Sequence, residues 1–168
     1  MFYIGQFFGA LAVLCGFLSY QTKDAKKLLI FQILTCAVFC VHYLLLGAMP
    51  AFWLNAVGTV RNITYYKKER LGKWAKVMPF IFAFVMAILG IASWNDWYSI
   101  FIVAGLILNT LALNFNKAQS IRWSILVTSP MVLIYDLFVA SVGGTIYEAV
   151  AIISAVIGIV RHKDTTER

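Results

Sequence analysis

Four side chains that hydrocarbon tolerates poorly stand in apolar surroundings: His42, Asn55, Asp136 and Glu148. An imidazole and two carboxyls can take up and release protons, and an amide can hydrogen-bond a polar solute without changing charge. A charged acid near the centre of a membrane helix costs roughly 2.5–3.5 kcal/mol on insertion scales, so such residues are functional candidates by default. Together they could form a substrate or proton site. Weaker polar stripes run from them. Asn55, Thr59, Asn62 and Tyr66 follow i, i+4, i+7, i+11, within about 60° of one another at 100° per residue. Gln32, Thr35, Phe39 and His42 share a face of about 80° by the same arithmetic. Ser129 lies one heptad before Asp136, and Asn109 could border the same interior. Gln32, Thr35, Thr59, Asn62, Tyr66 and Asn109 are therefore candidates to line a path. Amides and hydroxyls also join helices through hydrogen bonds worth roughly 0.6–2 kcal/mol, and that structural reading stands beside the functional one for each of them.

The elements that must position these groups are apolar helices. The chain is 62% hydrophobic and 12% charged with a mean hydropathy of +0.84, against roughly 25% charged in an ordinary soluble domain. The fold class expected is an all-α polytopic membrane protein. Seven spans are read near residues 3–20, 28–46, 50–66, 77–93, 97–114, 121–140 and 144–160. At a rise of 1.5 Å per residue, the four polar residues lie about 6–8 Å inside one end of their helices, at a common depth. Segment 3–20 has no basic region before it and reads as a retained span rather than a signal peptide. In 168 residues, seven crossings leave room for one bundle and short loops.

Charge fixes the expected orientation. Lys23, Lys26, Lys27, Lys67, Lys68, Arg70, Lys73, Lys76, Lys117, Arg161, Lys163 and Arg168, with Arg122 at the edge, all fall in alternate connections and the tail from 161. The connections at 47–49, 94–96 and 141–143 hold no Lys or Arg. Positive charge concentrates on the cytoplasmic side, so the N-terminus is expected outside and the 161–168 tail in the cytoplasm. Arg61 alone lies within a span, and it is expected to turn away from the Asn55–Asn62 stripe and snorkel to the inner headgroups. Trp94, Trp97 and Tyr98 mark the outer interface and Trp74 the inner one, as an aromatic belt does.

The net charge of +7 would suggest nucleic acid in a soluble protein. Here the basic residues hug membrane ends, where they meet anionic lipid at roughly 1 kcal/mol each. The lipid bilayer, not nucleic acid, is the expected partner. Cys15, Cys36 and Cys40 lie inside spans in an odd number, which argues against a disulfide framework. They are read as small packing residues, and neither a metal nor another cofactor is expected. An enzyme is not expected either: no metal-ligand motif, serine-nucleophile motif or phosphate loop appears, and the connections are too short to build a site outside the bilayer.

Sliding the chain by 93 residues lays spans one to three over spans five to seven without a gap. Phe8 falls on Phe101, Thr35 on Thr128, Tyr43 on Asp136, Asn55 on Glu148, and Gly47–Pro50 on Ala140–Gly143. Residues 3–66 and 97–160 are expected to be parallel three-helix repeats, with 77–93 as the linker helix between them. Parallel repeats related by an axis along the membrane normal are a transporter architecture. Gly5, Gly9, Ala12 and Gly16 line one face of the first span, and Ala151, Ser154, Ala155 and Gly158 one face of the last, which permits close helix approach.

The run His42-Tyr43-Leu44-Leu45-Leu46-Gly47, then Pro50 and Leu54-Asn55-Ala56, resembles the YgjV family of bacterial inner-membrane proteins, as does Gly143-Gly144-Thr145-Ile146-Tyr147-Glu148 in the second half. The resemblance covers most of the chain and implies an inner-membrane protein without naming a substrate. The three-one-three layout is similar to that of SWEET, PQ-loop and nicotinamide riboside carriers in architecture alone. The Pro-Gln pair of PQ-loop proteins is absent, and Pro130 in span six has Ala37 as its counterpart in span two.

The function expected is a facilitator or proton-linked carrier for a small polar solute. An acid-rich site with no intramembrane Lys favours a cation or a neutral molecule over an anion. The alternative is a non-transporting structural or assembly partner whose polar residues hold the bundle together. The bilayer, a small polar solute or a proton, and a second copy in a homo-oligomer are the partners considered.

Overall fold

A computed structural model describes residues 1–21, 25–67, 71–112 and 118–161. Lys23, Lys68, Arg70, Lys117, Lys163 and Arg168, which contribute to the charge asymmetry, lie outside them, as does the tail from 162. The described residues form seven α-helices and no strand: α1 Phe2–Gln21, α2 Ala25–Leu46, α3 Met49–Tyr66, α4 Met78–Ala92, α5 Ser99–Ala112, α6 Ala118–Phe138 and α7 Val142–Arg161. A short 3-10 helix, Gly72–Lys76, leads into α4. Pro50 and Pro79 sit at the first turns of α3 and α4, where a missing N–H costs nothing and the fixed φ suits a helix. Pro130 lies inside α6, which continues through it.

Leu29–Leu46 of α2 is the described stretch that is both long and apolar enough to cross a membrane. Phe2–Leu18, Met78–Ala92, Ser99–Ala112 and Val142–Ile157 are apolar but shorter. Their distribution of polarity is nonetheless inverted relative to a water-soluble bundle. Phe7, Phe84, Ile91 and Val160 are each two-thirds exposed or more, while His42, Arg61, Asn62 and Asp136 are buried. Broad exposed apolar surface needs a covering, and ionisable groups in membrane helices face the bundle interior.

Helix neighbours follow a closed order. α1 packs on α2, α2 on α3, α3 on α5, α5 on α6, α6 on α7, and α7 back on α1; α4 lies against α3 and α5. The pairings α1–α2, α2–α3 and α1–α7 thus recur as α5–α6, α6–α7 and α5–α3 when α1, α2 and α3 are exchanged with α5, α6 and α7. Apolar side chains from both halves, among them Phe39, Tyr43, Leu54, Ile102, Val132 and Tyr135, share one core.

The turns after α2 and α6 are built alike. Gly47 and Ala140 both take left-handed backbone, with φ of 74° and 52°. The Ala48 and Ser141 amides donate to the Tyr43 and Asp136 carbonyls at 2.9 and 2.8 Å, and the Gly47 and Ala140 amides to Leu44 and Leu137 at 3.1 and 3.3 Å. These bonds close the ends of helices whose last carbonyls would otherwise lack partners.

α1 and α7 approach closely where glycine faces glycine. A Cβ on Gly143 would lie 2.5 Å from the Gly9 Cα, and one on Gly9 would lie 2.9 Å from the His42 ring and 3.1 Å from the Gly143 Cα. The small-residue face read on the first span is therefore a packing face, and it lets α1 reach both α2 and α7.

Candidate functional site

The buried polar groups gather beneath the turn between α6 and α7. His42 has no exposed surface. Its Nδ1 lies 2.7 Å from the Gly5 carbonyl oxygen and its Nε2 lies 2.7 Å from Ser141 Oγ. A carbonyl only accepts, so Nδ1 carries a hydrogen; in the neutral ring Nε2 then accepts from the Ser141 hydroxyl. The Gly144 amide donates to Ser141 Oγ at 3.1 Å. One imidazole thereby ties α1, α2 and the α6–α7 turn together. Gly9 makes room for it, since a side chain there would strike the ring.

Asp136 is the other centre of this cluster. Tyr43 donates its hydroxyl hydrogen to Asp136 Oδ1 at 2.7 Å, joining α2 to α6 between residues 93 apart. Oδ2 is buried and has no hydrogen-bond partner. It is packed against Gly144, where a Cβ would collide with it, and Ser141 Oγ borders the same point. A proton on Oδ2 would find an acceptor in Ser141. Glu148 on α7 is half-buried beside Ser129 of α6. It lies near enough for its charge to bear on Asp136.

The helix ends alter the expected depths. α6 stops at Phe138, so Asp136 lies only about 3 Å from the end of its helix. It is wholly buried all the same, because the turn through Ser141 folds back over it. Gln6 of α1 holds that turn from the side: its Nε2 donates to the Ala140 carbonyl at 2.6 Å, and its Oε1 accepts from the Val142 amide at 3.1 Å.

Of the residues singled out by sequence, His42, Asp136 and Glu148 are brought into one neighbourhood. Asn55 is not joined to it: its amide donates to the Ala51 carbonyl one turn back, at 2.9 Å. Thr59 and Thr35 likewise donate to Asn55 and Phe31 carbonyls of their own helices. Gln32 and Asn109 are half-buried, and Tyr66 is exposed at the end of α3. Asn62 is buried and donates to Cys36 Sγ at 3.5 Å.

Arg61 overturns its expected role. It is 7% exposed and turned into the bundle, where Nη1 donates to Thr110 Oγ1 of α5 at 2.7 Å and Nε to Asn62 Oδ1 at 3.3 Å. In place of snorkelling, the guanidinium bonds to the neighbouring helix α5. With this cation inside, the interior is no longer solely acidic, and the expected exclusion of anions loses its basis.

Sequence reasoning also passed over Ser141 and Gln6, whose roles rest on contacts 99 and more than 130 residues away. Tyr43 was legible as the counterpart of Asp136, though not as its hydrogen-bond donor. Among the described residues no group of three or more His, Cys, Asp or Glu could hold a metal. A separate groove of about 400 Å³ lies between α3 and the end of α4, lined by Met49, Trp53, Leu89, Ala92, Ser93, Trp94 and Asn95. It shares no residue with the buried cluster.

The profile of a family described as bacterial inner membrane protein, Imp-YgjV, matches residues 3–166. The chain belongs to the YgjV family. Inner membrane protein YgjV of Escherichia coli strain K12 is 24% identical over 160 residues, covering 95% of this chain and 85% of that protein. No solved structure matches. Family membership makes the chain a bacterial inner-membrane protein, and it accounts for the exposed apolar helix faces as surface that lipid covers.

Proposed function

We propose that this YgjV-family protein is a carrier or facilitator for a small polar solute, with Asp136 as a proton or solute site and His42 and Glu148 beside it. The observation that carries the reading is the Tyr43–Asp136 hydrogen bond. It joins a fully buried acid on α6 to α2, with one oxygen of the acid left unpartnered. A carboxyl so placed can couple protonation to the fit between α2 and α6, because losing or gaining a proton changes which hydrogen bonds the two helices can make. The recurring helix pairings and the matching turns at Gly47 and Ala140 support residues 3–66 and 97–160 as parallel repeats that could rock against each other. The orientation in this reading is N-terminus outside, seven crossings and C-terminus in the cytoplasm, from the distribution of Lys and Arg.

The test is uptake of a labelled mixture of small polar metabolites into proteoliposomes with an imposed pH gradient. Uptake above that of empty liposomes, reduced in Asp136→Asn, is expected. Rates equal to those of empty liposomes across the mixture count against a carrier. A second reading, a non-transporting assembly protein, is favoured by the saturation of His42, whose two ring nitrogens are both bonded within the bundle. It expects Asp136→Asn to lower stability with no transport to lose.

A further inference from the structure

Arg61 is a buried guanidinium without a carboxylate. Its bonded partners, Thr110 Oγ1 and Asn62 Oδ1, are neutral, and no described acid pairs with it. Guanidinium carries five N–H donors in a planar fork and keeps its charge in proteins. The two bonds to Thr110 and Asn62 engage Nη1 and Nε, and Nη2 donates to no described group. Cys36, Tyr65 and Tyr147 lie within reach of its charge. The Tyr65 hydroxyl is itself buried with no hydrogen-bond partner.

Packing alone does not call for this arrangement. At the offset that pairs Tyr43 with Asp136, Ser154 of α7 is the counterpart of Arg61, and Phe17 of α1 that of Thr110. The α7–α1 contact is therefore made without a cation. A guanidinium set among neutral partners, with one nitrogen unbonded, is favoured by an opposite charge or further hydrogen bonds. A planar or tetrahedral oxyanion supplies both, because its oxygens accept two parallel N–H bonds from the fork.

We propose that Arg61, Thr110, Asn62 and Tyr65, in the half of the bundle away from the α2–α3 and α6–α7 turns, bind an oxyanion: the carboxylate or phosphate of a small solute, or the phosphate of a lipid headgroup. Arg61 takes the charge through its free edge, Tyr65 donates its hydroxyl hydrogen, and Thr110 and Asn62 hold the guanidinium in place. The inference is independent of the carrier reading, because binding is measured with no transport.

The full chain, purified in an uncharged detergent, is heated in inorganic phosphate, succinate or chloride at equal ionic strength, and separately with added phosphatidylglycerol. Chloride controls for charge alone, since a single atom cannot offer the pair of oxygens that two parallel N–H bonds of the fork match. Phosphate or succinate is expected to raise the unfolding midpoint by about 2–4 °C over chloride. Arg61→Lys, which keeps the charge and loses the fork, should abolish the rise, and Tyr65→Phe should reduce it. A rise with phosphatidylglycerol alone, lost in Arg61→Lys, retains the oxyanion site and assigns it to lipid. No rise with any of the three probes, or a rise that both variants leave unchanged, overturns the proposal.

Discussion

His42 and Asp136 divide the work of the buried cluster differently. His42 is saturated, with Gly5 and Ser141 on its two nitrogens. Replacing it by Ala leaves the Gly5 carbonyl and Ser141 hydroxyl without partners and a void beside Gly9. A loss of about 2–4 kcal/mol is expected, combining lost hydrogen bonds with an unfilled cavity, read as a lower midpoint of thermal unfolding in detergent. Asp136 is satisfied on one oxygen only, and its bond to Tyr43 can be isolated. A double-mutant cycle of Tyr43→Phe and Asp136→Asn should give a coupling of about 0.6–1.7 kcal/mol, the range measured for hydrogen bonds between membrane helices. Coupling near zero would remove the bond that joins α2 to α6. Ala140 gives the opposite sign. It holds a left-handed conformation with φ 52°, which glycine adopts without the Cβ clash. Ala140→Gly is expected to stabilise the protein by up to about 1 kcal/mol, and a lower unfolding midpoint would show that the turn is not strained there.

Between elements, the decisive contact is α1 against α7. Their backbones meet at Gly9 and Gly143, and a methyl on Gly143 would have to displace the main chain of α1. Main chain yields less readily than a side-chain tip, so Gly143→Ala should force the helices apart at a cost of about 1–3 kcal/mol. That separation also moves Gly5 away from His42 and Gln6 away from the α6–α7 turn. Increased reactivity of a cysteine placed at Ser141 in the Gly143→Ala background is the expected readout. Unchanged reactivity and stability would mean that the two helices are held elsewhere. α4 plays a different part, lying against α3 and α5 outside the closed order of the other six. Its outer face, with Phe84, Ile88 and Ile91 exposed, is apolar enough to meet lipid.

For the whole molecule, apolar surface outside and ionisable groups inside follow from hydrocarbon as the solvent. Cysteine labelling from either side of intact cells tests the proposed crossing pattern. Positions 49, 95 and 142, all exposed, are expected to react with an impermeant reagent applied from outside. Positions 73 and 76 in the connection before α4 are expected to be protected until the membrane is opened. Reaction of position 73 from outside would break the alternation, and the parallel-repeat proposal would fall with it.

Hydrophobic stretches located the helices because apolar runs are local: α3 and α7 begin within two residues of the expected limits. His42, Asp136 and Glu148 stood out in the sequence, because an ionisable group in an apolar run is conspicuous wherever it points. Direction was the part that periodicity could not supply. Asn55 and Asp136 looked alike at similar depth, yet Asn55 bonds back to its own helix and Asp136 bonds across to α2. Arg61 looked like a residue that reaches for headgroups because the nearby helix end was visible in the chain and Thr110 was not. Which helix stands opposite, and what acceptor it presents within 2.7 Å, depends on how α3 and α5 are packed. Hydrocarbon sets what must be buried, and only the tertiary arrangement decides what each buried group meets.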